Sequence, residues 1–311
     1  MTRPHLLALV PLPVVTRQAL AMHYELLAAA DGPAAVQADL PLDQVVAVVT
    51  NGTVGLSAAL MARLPALRLA CAFGVGYENV DVEAARQRGV VVTNAPGTND
   101  DTVADHALGF MLALSRGYGA LNEAVRAGGW HQSRSARPTL SGASVGIIGM
   151  GRIGQGIARR AQGFGMQVRY CTRRPCADLP YSHEPDLVAL ARASDYLVAA
   201  CPGGPATRHI VNAEVLAALG PQGFLVNVAR GSVVQTDDLV RALQGRAIAG
   251  AGLDVLESEP EVPEALRLLD NVLITPHMAG RSPAAHQAQT EALLRSLADG
   301  LAGRRPAFAV S

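Results

Sequence analysis

The sequence carries no net charge and no lysine: 26 arginines stand against 26 aspartates and glutamates. That balance removes the usual electrostatic ground for a nucleic acid or an anionic membrane as the main partner. Cysteine is scarce. The four present, Cys71, Cys171, Cys176 and Cys201, show neither Cys-x-x-Cys spacing nor a paired histidine, which argues against a disulfide framework or a metal site and points to reduced thiols in a cytoplasmic protein. No apolar run approaches the ~18 residues that a membrane span needs. The stretch Leu6-Leu-Ala-Leu-Val10 is interrupted by Pro11 and Pro13 and no clean cleavage site follows, so it reads as a first strand rather than a signal peptide. Solenoid-period repeats and low-complexity tracts are missing too. The expected partner is a small molecule.

What is there is a chain of 311 residues, half of them apolar, which exceeds a single typical core and favours two domains. The first hundred residues alternate strand-like segments, near 5–11, 45–50, 67–73 and 90–94, with helix-like ones from Thr16 to Ala30, Leu56 to Leu64 and Val82 to Arg88. A long helical stretch from about Asp101 to Ala127 opens on an Asp-Asp-Thr cluster suited to a cap and ends at Gly128-Gly129, as a bridge between two halves. The alternation restarts at Ser144: Val145-Gly-Ile-Ile148, a glycine turn, a helix to about Phe164, then Gln167 to Tyr170, with further strands near 195–200, 224–228, 247–253 and 272–275. The last helix, about Pro283 to Leu301, follows the completed second sheet and is expected to fold back on the first domain. The expectation is an α/β protein with two doubly wound parallel-sheet domains, 1–99 plus 284–311 and 100–283.

Gly149-Met150-Gly151-Arg152-Ile153-Gly154 follows a short apolar strand and opens a helix, the context that makes a glycine fingerprint meaningful. Gly149 allows the tight turn, Gly151 the close approach of a pyrophosphate and Gly154 the packing of helix on strand, while free backbone donors at the helix start face the anion. This marks 100–283 as a Rossmann cofactor domain. An NAD site expects an acidic residue roughly 20 residues beyond the glycines. The strand instead ends Thr172-Arg173-Arg174. Two guanidinium groups and a hydroxyl suit the 2′-phosphate of NADPH, which is favoured over NADH.

Three polar residues stand just past the ends of separate apolar runs: Arg230, Glu259 and His277. In an open α/β sheet, ligands bind beyond the carboxyl ends of the strands. Reduction of a 2-oxo acid needs a cation for the carboxylate and a proton donor for the carbonyl oxygen. Arg230 suits the first role and His277 the second. A carboxylate would hold the imidazole and raise its pKa. Glu257 competes with Glu259 for that part, and spacing alone does not separate them.

From about Leu64 to Ser282 the chain resembles the D-isomer-specific 2-hydroxyacid dehydrogenases. The resemblance rests on Phe73-Gly-Val-Gly-Tyr-Glu-Asn-Val-Asp81, the fingerprint strand from Val145 to Gly154, Val226-Asn-Val-Ala-Arg-Gly231, Gly250-Ala-Gly-Leu-Asp-Val255 and Thr275-Pro-His277. It selects Glu259 over Glu257 and implies a flavodoxin-like substrate domain. It implies that the amides of Val75 and Gly76 grip the substrate carboxylate, with Asn51 near the same cleft. It places Asp254 on the nicotinamide carboxamide and Thr102, besides capping its helix, near the cofactor. The cofactor site then takes in Arg152 and Ile153, Cys201, Pro202 and Thr207, Val228 and Ala229 ahead of Arg230, and Ala279 and Gly280 after His277.

Among members, the arginine pair resembles the NADPH-using glyoxylate and hydroxypyruvate reductases more than NAD-using phosphoglycerate or lactate enzymes. The active-site carboxylate argues against formate dehydrogenases, and the lack of a basic residue from Phe73 to Asp81 argues against phosphite dehydrogenases. Two glycines in Cys201-Pro-Gly-Gly-Pro-Ala-Thr207 predict a looser loop beside the cofactor. Trp130 reads as an ordinary core or interface tryptophan on an arm after the long helix. A homodimer through the cofactor domain is implied, with no metal. The rival from another class is a dinucleotide-sensing protein like the C-terminal-binding-protein corepressors, against which the even charge and lack of long tails argue.

Overall fold

The computed structural model describes residues 3–29, 36 and 40–310. Its contacts fall into two compact units, Met1–Asn99 with Arg281–Ser311, and Asp100–Gly280. The return to the first unit begins at Arg281, ahead of the expected 284, because the Ser282 hydroxyl caps the last helix by accepting from the Ala285 N–H.

The first unit starts with β1 (His5–Ala8), α1 (Val14–Ala21), β2 (Glu25–Ala28), β3 (Val45–Thr50), α2 (Ala58–Ala62), β4 (Leu69–Ala72), α3 (Val82–Gln87) and β5 (Val91–Thr93). Its sheet has the order β2-β1-β3-β4-β5 with every pair parallel, the flavodoxin-like order. One expectation fails here. The helix drawn from Thr16 to Ala30 ends at Ala21, and Glu25–Ala28 pairs with β1 from His5↔Glu25 to Ala8↔Ala28; Ala30 lies outside the described residues. Leucine and alanine favour helix in isolation, but the open edge of β1 offers this segment a full ladder of backbone partners.

The second unit runs α4 (Asp100–Arg116), α5 (Tyr118–Arg126), β6 (Ser144–Ile148), α6 (Arg152–Gly163), β7 (Gln167–Cys171), β8 (Ser182–His183), α7 (Leu187–Arg192), β9 (Tyr196–Ala199), α8 (Ala213–Leu219), β10 (Phe224–Asn227), α9 (Thr236–Gln244), β11 (Gly250–Leu253), α10 (Glu264–Arg267) and β12 (Val272–Ile274). The sheet order β12-β11-β10-β9-β6-β7-β8 is that of a Rossmann domain, with its switch point between β6 and β9. Helices cover both faces: α4 and α6 share one core with β6 and β10, and α7, α8 and α9 close the other. Gly252 lets α4 approach the sheet, since a Cβ there would lie 2.7 Å from the Phe110 ring. The single helix expected from Asp101 to Ala127 is broken at Gly117, whose φ of +64° ends α4 and starts α5. Trp130 is 61% exposed, so it is no core residue.

α11 (Pro283–Leu301) belongs to the first unit and lies on β4, with Leu293 and Leu297 packed among Leu69, Cys71 and Val49.

Candidate active site

β10, β11 and β12 are adjacent and in register, with Asn227 beside Leu253 and Leu253 beside Ile274. The segments that leave them therefore emerge at one level of one sheet edge. They carry Arg230, the Asp254–Glu259 loop and His277.

His277 has φ +49°, a left-handed conformation uncommon outside glycine. Its N–H donates to the carbonyls of Asp254 at 2.8 Å and Thr275 at 2.9 Å. The Asp254 carboxylate, 3% exposed, accepts from the Thr275 hydroxyl (2.6 Å) and from the N–H groups of Met278 (2.8 Å) and Ala279 (2.9 Å). The residue expected on the nicotinamide carboxamide is thus already used three times in building the turn that presents His277. His106 of α4 reinforces the turn, its Nε2 standing 3.0 Å from Thr275 Oγ1.

His277 Nδ1 meets Glu259 Oε2 at 2.8 Å, and the other Glu259 oxygen accepts from the Leu256 N–H at 2.9 Å. Burial pushes this carboxyl up, but the bonds from His277 and Leu256 and the charges of His277 and Arg230 outweigh it and hold the group below its ordinary value. With Nδ1 engaged, Nε2 is the imidazole nitrogen left to act. Arg230 is held by its own surroundings: Asn227 Nδ2 donates to its carbonyl at 3.0 Å, and its guanidinium donates to Ala229 O at 2.6 Å.

Glu257 is occupied elsewhere. Oε1 meets His209 Nε2 at 2.6 Å, and Oε2 accepts from the Thr236 N–H (3.1 Å) and hydroxyl (2.5 Å) at the start of α9. Burial again pushes the carboxyl up, and the Thr236 and His209 bonds overcome it and keep it low. These bonds tie the Glu259 loop to two neighbouring loops. Gly231 makes the approach possible: a Cβ there would lie 2.0 Å from the Leu256 carbonyl carbon. His106, His209, Asn227 and Thr236 were not singled out from the sequence. Only the adjacency to Arg230 flagged Asn227, and nothing local flagged the others.

At the switch point the three glycines differ in the way a dinucleotide requires. Gly149 has φ +94° and a Cβ there would strike the Cys201 backbone at 2.7 Å; at Gly154 it would strike Gly149 O at 2.1 Å; at Gly151 nothing lies within 4 Å. Open space at the middle glycine, before the first turn of α6, fits a pyrophosphate held by backbone donors. Arg152 is exposed beside Asp100 at 3.9 Å, and Ile153 packs on the core. Arg173 and Arg174 are exposed and make no ion pair among the described residues. The Thr172 hydroxyl donates to Arg174 O at 2.7 Å, so toward a phosphate it offers an acceptor rather than the expected donor. Cys201, Val228, Ala229 and Ala279 are buried in the packed cores, and burial pushes the Cys201 thiol up to about 11. Gly280 is half-buried at the end of the unit. The loop expected to be loose is tied: Thr207 Oγ1 donates to Pro202 O at 2.7 Å, and Gly203 is the residue that lets the Arg230 side chain pass, a Cβ there lying 2.7 Å from Arg230 Cγ. Thr102 lies in the first turn of α4 rather than at its cap, because the helix begins at Asp100.

In the first unit, the turn after β4 holds Val75 and Gly76. Its carbonyls are engaged, Gly74 O by Ala95 N–H (2.7 Å) and Val75 O by Asn94 Nδ2 (2.8 Å), while the Val75 and Gly76 N–H groups donate to no described residue. Asn51 Oδ1 folds its own turn by accepting from Thr53 (3.0 Å) and Val54 (2.8 Å), and Gly52 brings that turn against Gly76.

A nucleotide-binding parallel sheet with a histidine–carboxylate pair and an arginine at its carboxyl edge defines a dinucleotide-dependent dehydrogenase site. Residues 108–279 match the D-isomer specific 2-hydroxyacid dehydrogenase, NAD binding domain. The chain is 40% identical over 259 residues to a glyoxylate/hydroxypyruvate reductase A of Arabidopsis thaliana, covering 83% of each, and 40% identical over 266 residues to a hydroxyphenylpyruvate reductase of Plectranthus scutellarioides, covering 85% of each. A solved NADPH-dependent glyoxylate/hydroxypyruvate reductase of Sinorhizobium meliloti, in complex with NADP and malonate, superposes with a TM-score of 0.92 at 38% identity over 100% of this chain and 97% of that one. The chain belongs to the D-isomer specific 2-hydroxyacid dehydrogenase family.

Proposed function

We propose that the protein is an NADPH-preferring reductase of small 2-oxo acids, foremost glyoxylate and hydroxypyruvate, which it converts to glycolate and D-glycerate. The observation that carries this reading is the 2.8 Å pair of His277 Nδ1 with Glu259, which leaves Nε2 as the proton donor. The nicotinamide, when bound, supplies hydride to the carbonyl carbon. His277 Nε2–H gives its proton to the carbonyl oxygen, and Glu259 stabilises the imidazolium before that transfer and keeps the Nδ1 proton in place after it. Arg230 polarises the acid and pairs with its carboxylate. In the first unit, the unengaged amides of Val75 and Gly76, with Asn51 behind them, are the proposed carboxylate donors.

The cofactor preference is supported by the exposed Arg173 and Arg174, which make no ion pair among the described residues, and by the NADP complex of the Sinorhizobium meliloti relative. The ratio of kcat/KM with NADPH to that with NADH tests it: a ratio well above one is expected, and a clear NADH preference overturns the choice. A bulkier acid, hydroxyphenylpyruvate, is the second reading, favoured by the Plectranthus scutellarioides relative; a substrate panel separates the two. The proposed assembly is a homodimer: α5 has no buried residue, and Tyr118 and Trp130 are 55% and 61% exposed in the same stretch of chain. A monomeric mass by light scattering contradicts it. The described cysteines are free, which supports a reducing, cytoplasmic setting.

A further inference from the structure

The buried face of α11 is apolar at Ala285, Ala292, Leu293 and Leu297, and polar at Gln289, Thr290 and Ser296. Leu293, one turn beyond Gln289, packs beside Cys71 and Phe73 at the end of β4. Gln289 is 6% exposed, and its carboxamide makes no hydrogen bond among the described residues. Its neighbour Thr290 is satisfied, by Thr16 and by the His286 carbonyl. The side chain is buried while its carboxamide is uncommitted, so the amide is available to a ligand that reaches this part of the helix face.

The turn after β4 faces this amide. Gly74 has φ +121°, and beyond its chain neighbours a Cβ built on it would have one atom within 4 Å, Nε2 of Gln289 at 4.0 Å. The carboxamide therefore stands within van der Waals reach of one carbon added at the turn. The Val75 and Gly76 N–H groups that donate to no described residue follow directly.

We propose that Gln289 recognises a hydroxyl on carbon 3 of the 2-oxo acid and so selects hydroxypyruvate-like substrates over those with an apolar carbon 3. The inference rests on the reading that the Val75 and Gly76 amides hold the carboxylate. Carbon 3 is two bonds from the carboxylate carbon, so an acid held at this turn presents that carbon to the turn's immediate surroundings. A hydroxyl both donates and accepts, and a carboxamide offers a partner for each. Glyoxylate has only hydrogen at that position, and pyruvate sets a methyl group against the amide.

The test is kcat/KM for hydroxypyruvate, pyruvate and glyoxylate in the wild type, Gln289→Met and Gln289→Asn. The hydroxypyruvate-to-pyruvate ratio falls about tenfold in Gln289→Met, the size of one lost hydrogen bond, and the loss on hydroxypyruvate exceeds the loss on glyoxylate. Gln289→Asn keeps the chemistry but withdraws it by one methylene, and lowers the same ratio. An unchanged ratio, or an equal loss on all three acids, overturns the assignment of Gln289. A wild type that reduces none of the three overturns the proposed function itself.

Discussion

Two histidine–glutamate pairs lie in the second unit, and they do different things. His277 and His209 both have positive φ, +49° and +53°, and their carboxylate partners are Glu259 and Glu257, at 2.8 Å and 2.6 Å. Their side chains are similarly exposed, 37% and 30%. The difference is in what each pair leaves over. Glu257 spends its second oxygen on both donors of Thr236, and His209 commits Nε2 to the carboxylate, so the pair closes a loop onto α9. Glu259 holds His277 through Nδ1, and Nε2 is left to act on a ligand. Residue types and contact distances are nearly the same in the two pairs. On the proposed function, the Thr236 bonds of Glu257 mark its pair with His209 as a fastening, and the Nε2 left over on His277 marks that residue as the proton donor.

Glu259→Gln and Glu257→Gln set the comparison most sharply. The first is expected to lower kcat for 2-oxo acid reduction by about 10²-fold, because the imidazolium loses its counter-charge. The second is expected to keep most of kcat and lose thermal stability instead. Comparable losses of kcat in both variants would break the distinction. A smaller effect is expected of Gly231→Ala, whose new Cβ meets the Leu256 backbone at 2.0 Å. Forcing the two loops apart costs about 1–3 kcal/mol by denaturant unfolding, and an unchanged midpoint would mean that the loops are not held by this contact.

The smallest effect is one of pH. Both carboxyls are held below their ordinary value in the folded protein, burial being outweighed by their hydrogen bonds. A depressed folded pKa stabilises fully above the unfolded value, ~4.3, and that stabilisation fades as pH falls through the folded value. The gap in melting temperature between wild type and Glu257→Gln is therefore expected to be full at neutral pH and to close below about pH 4. A gap that widens on acidification contradicts this.

Much of the site was legible because it sits at strand ends. Short apolar runs closed by Arg230, Glu259 and His277 announce parallel strands with polar exits, and the fingerprint glycines announce the turn that β6 makes. What was hidden depended on chain crossings. Nothing near His209 points to Glu257, because their meeting is made by Gly231 passing under Leu256. Asp254 reads as a cofactor ligand by resemblance, and nothing in the sequence shows that its carboxylate also accepts from Thr275, Met278 and Ala279. In the fold, Glu25–Ala28 reads as helix because its side chains favour one, and it becomes a strand because β1 has an edge to fill. Gly117 is a tolerable helix residue by composition, and only its left-handed conformation turns it into a break.

The most direct measurement is kcat/KM for glyoxylate with NADPH in His277→Asn and His209→Asn, each checked for folding by circular dichroism. The expected result is a loss of roughly 10²–10⁴-fold for His277→Asn, the range of a removed general acid, with His209→Asn near the wild type. Comparable activities in the two variants would contradict His277 as the proton donor.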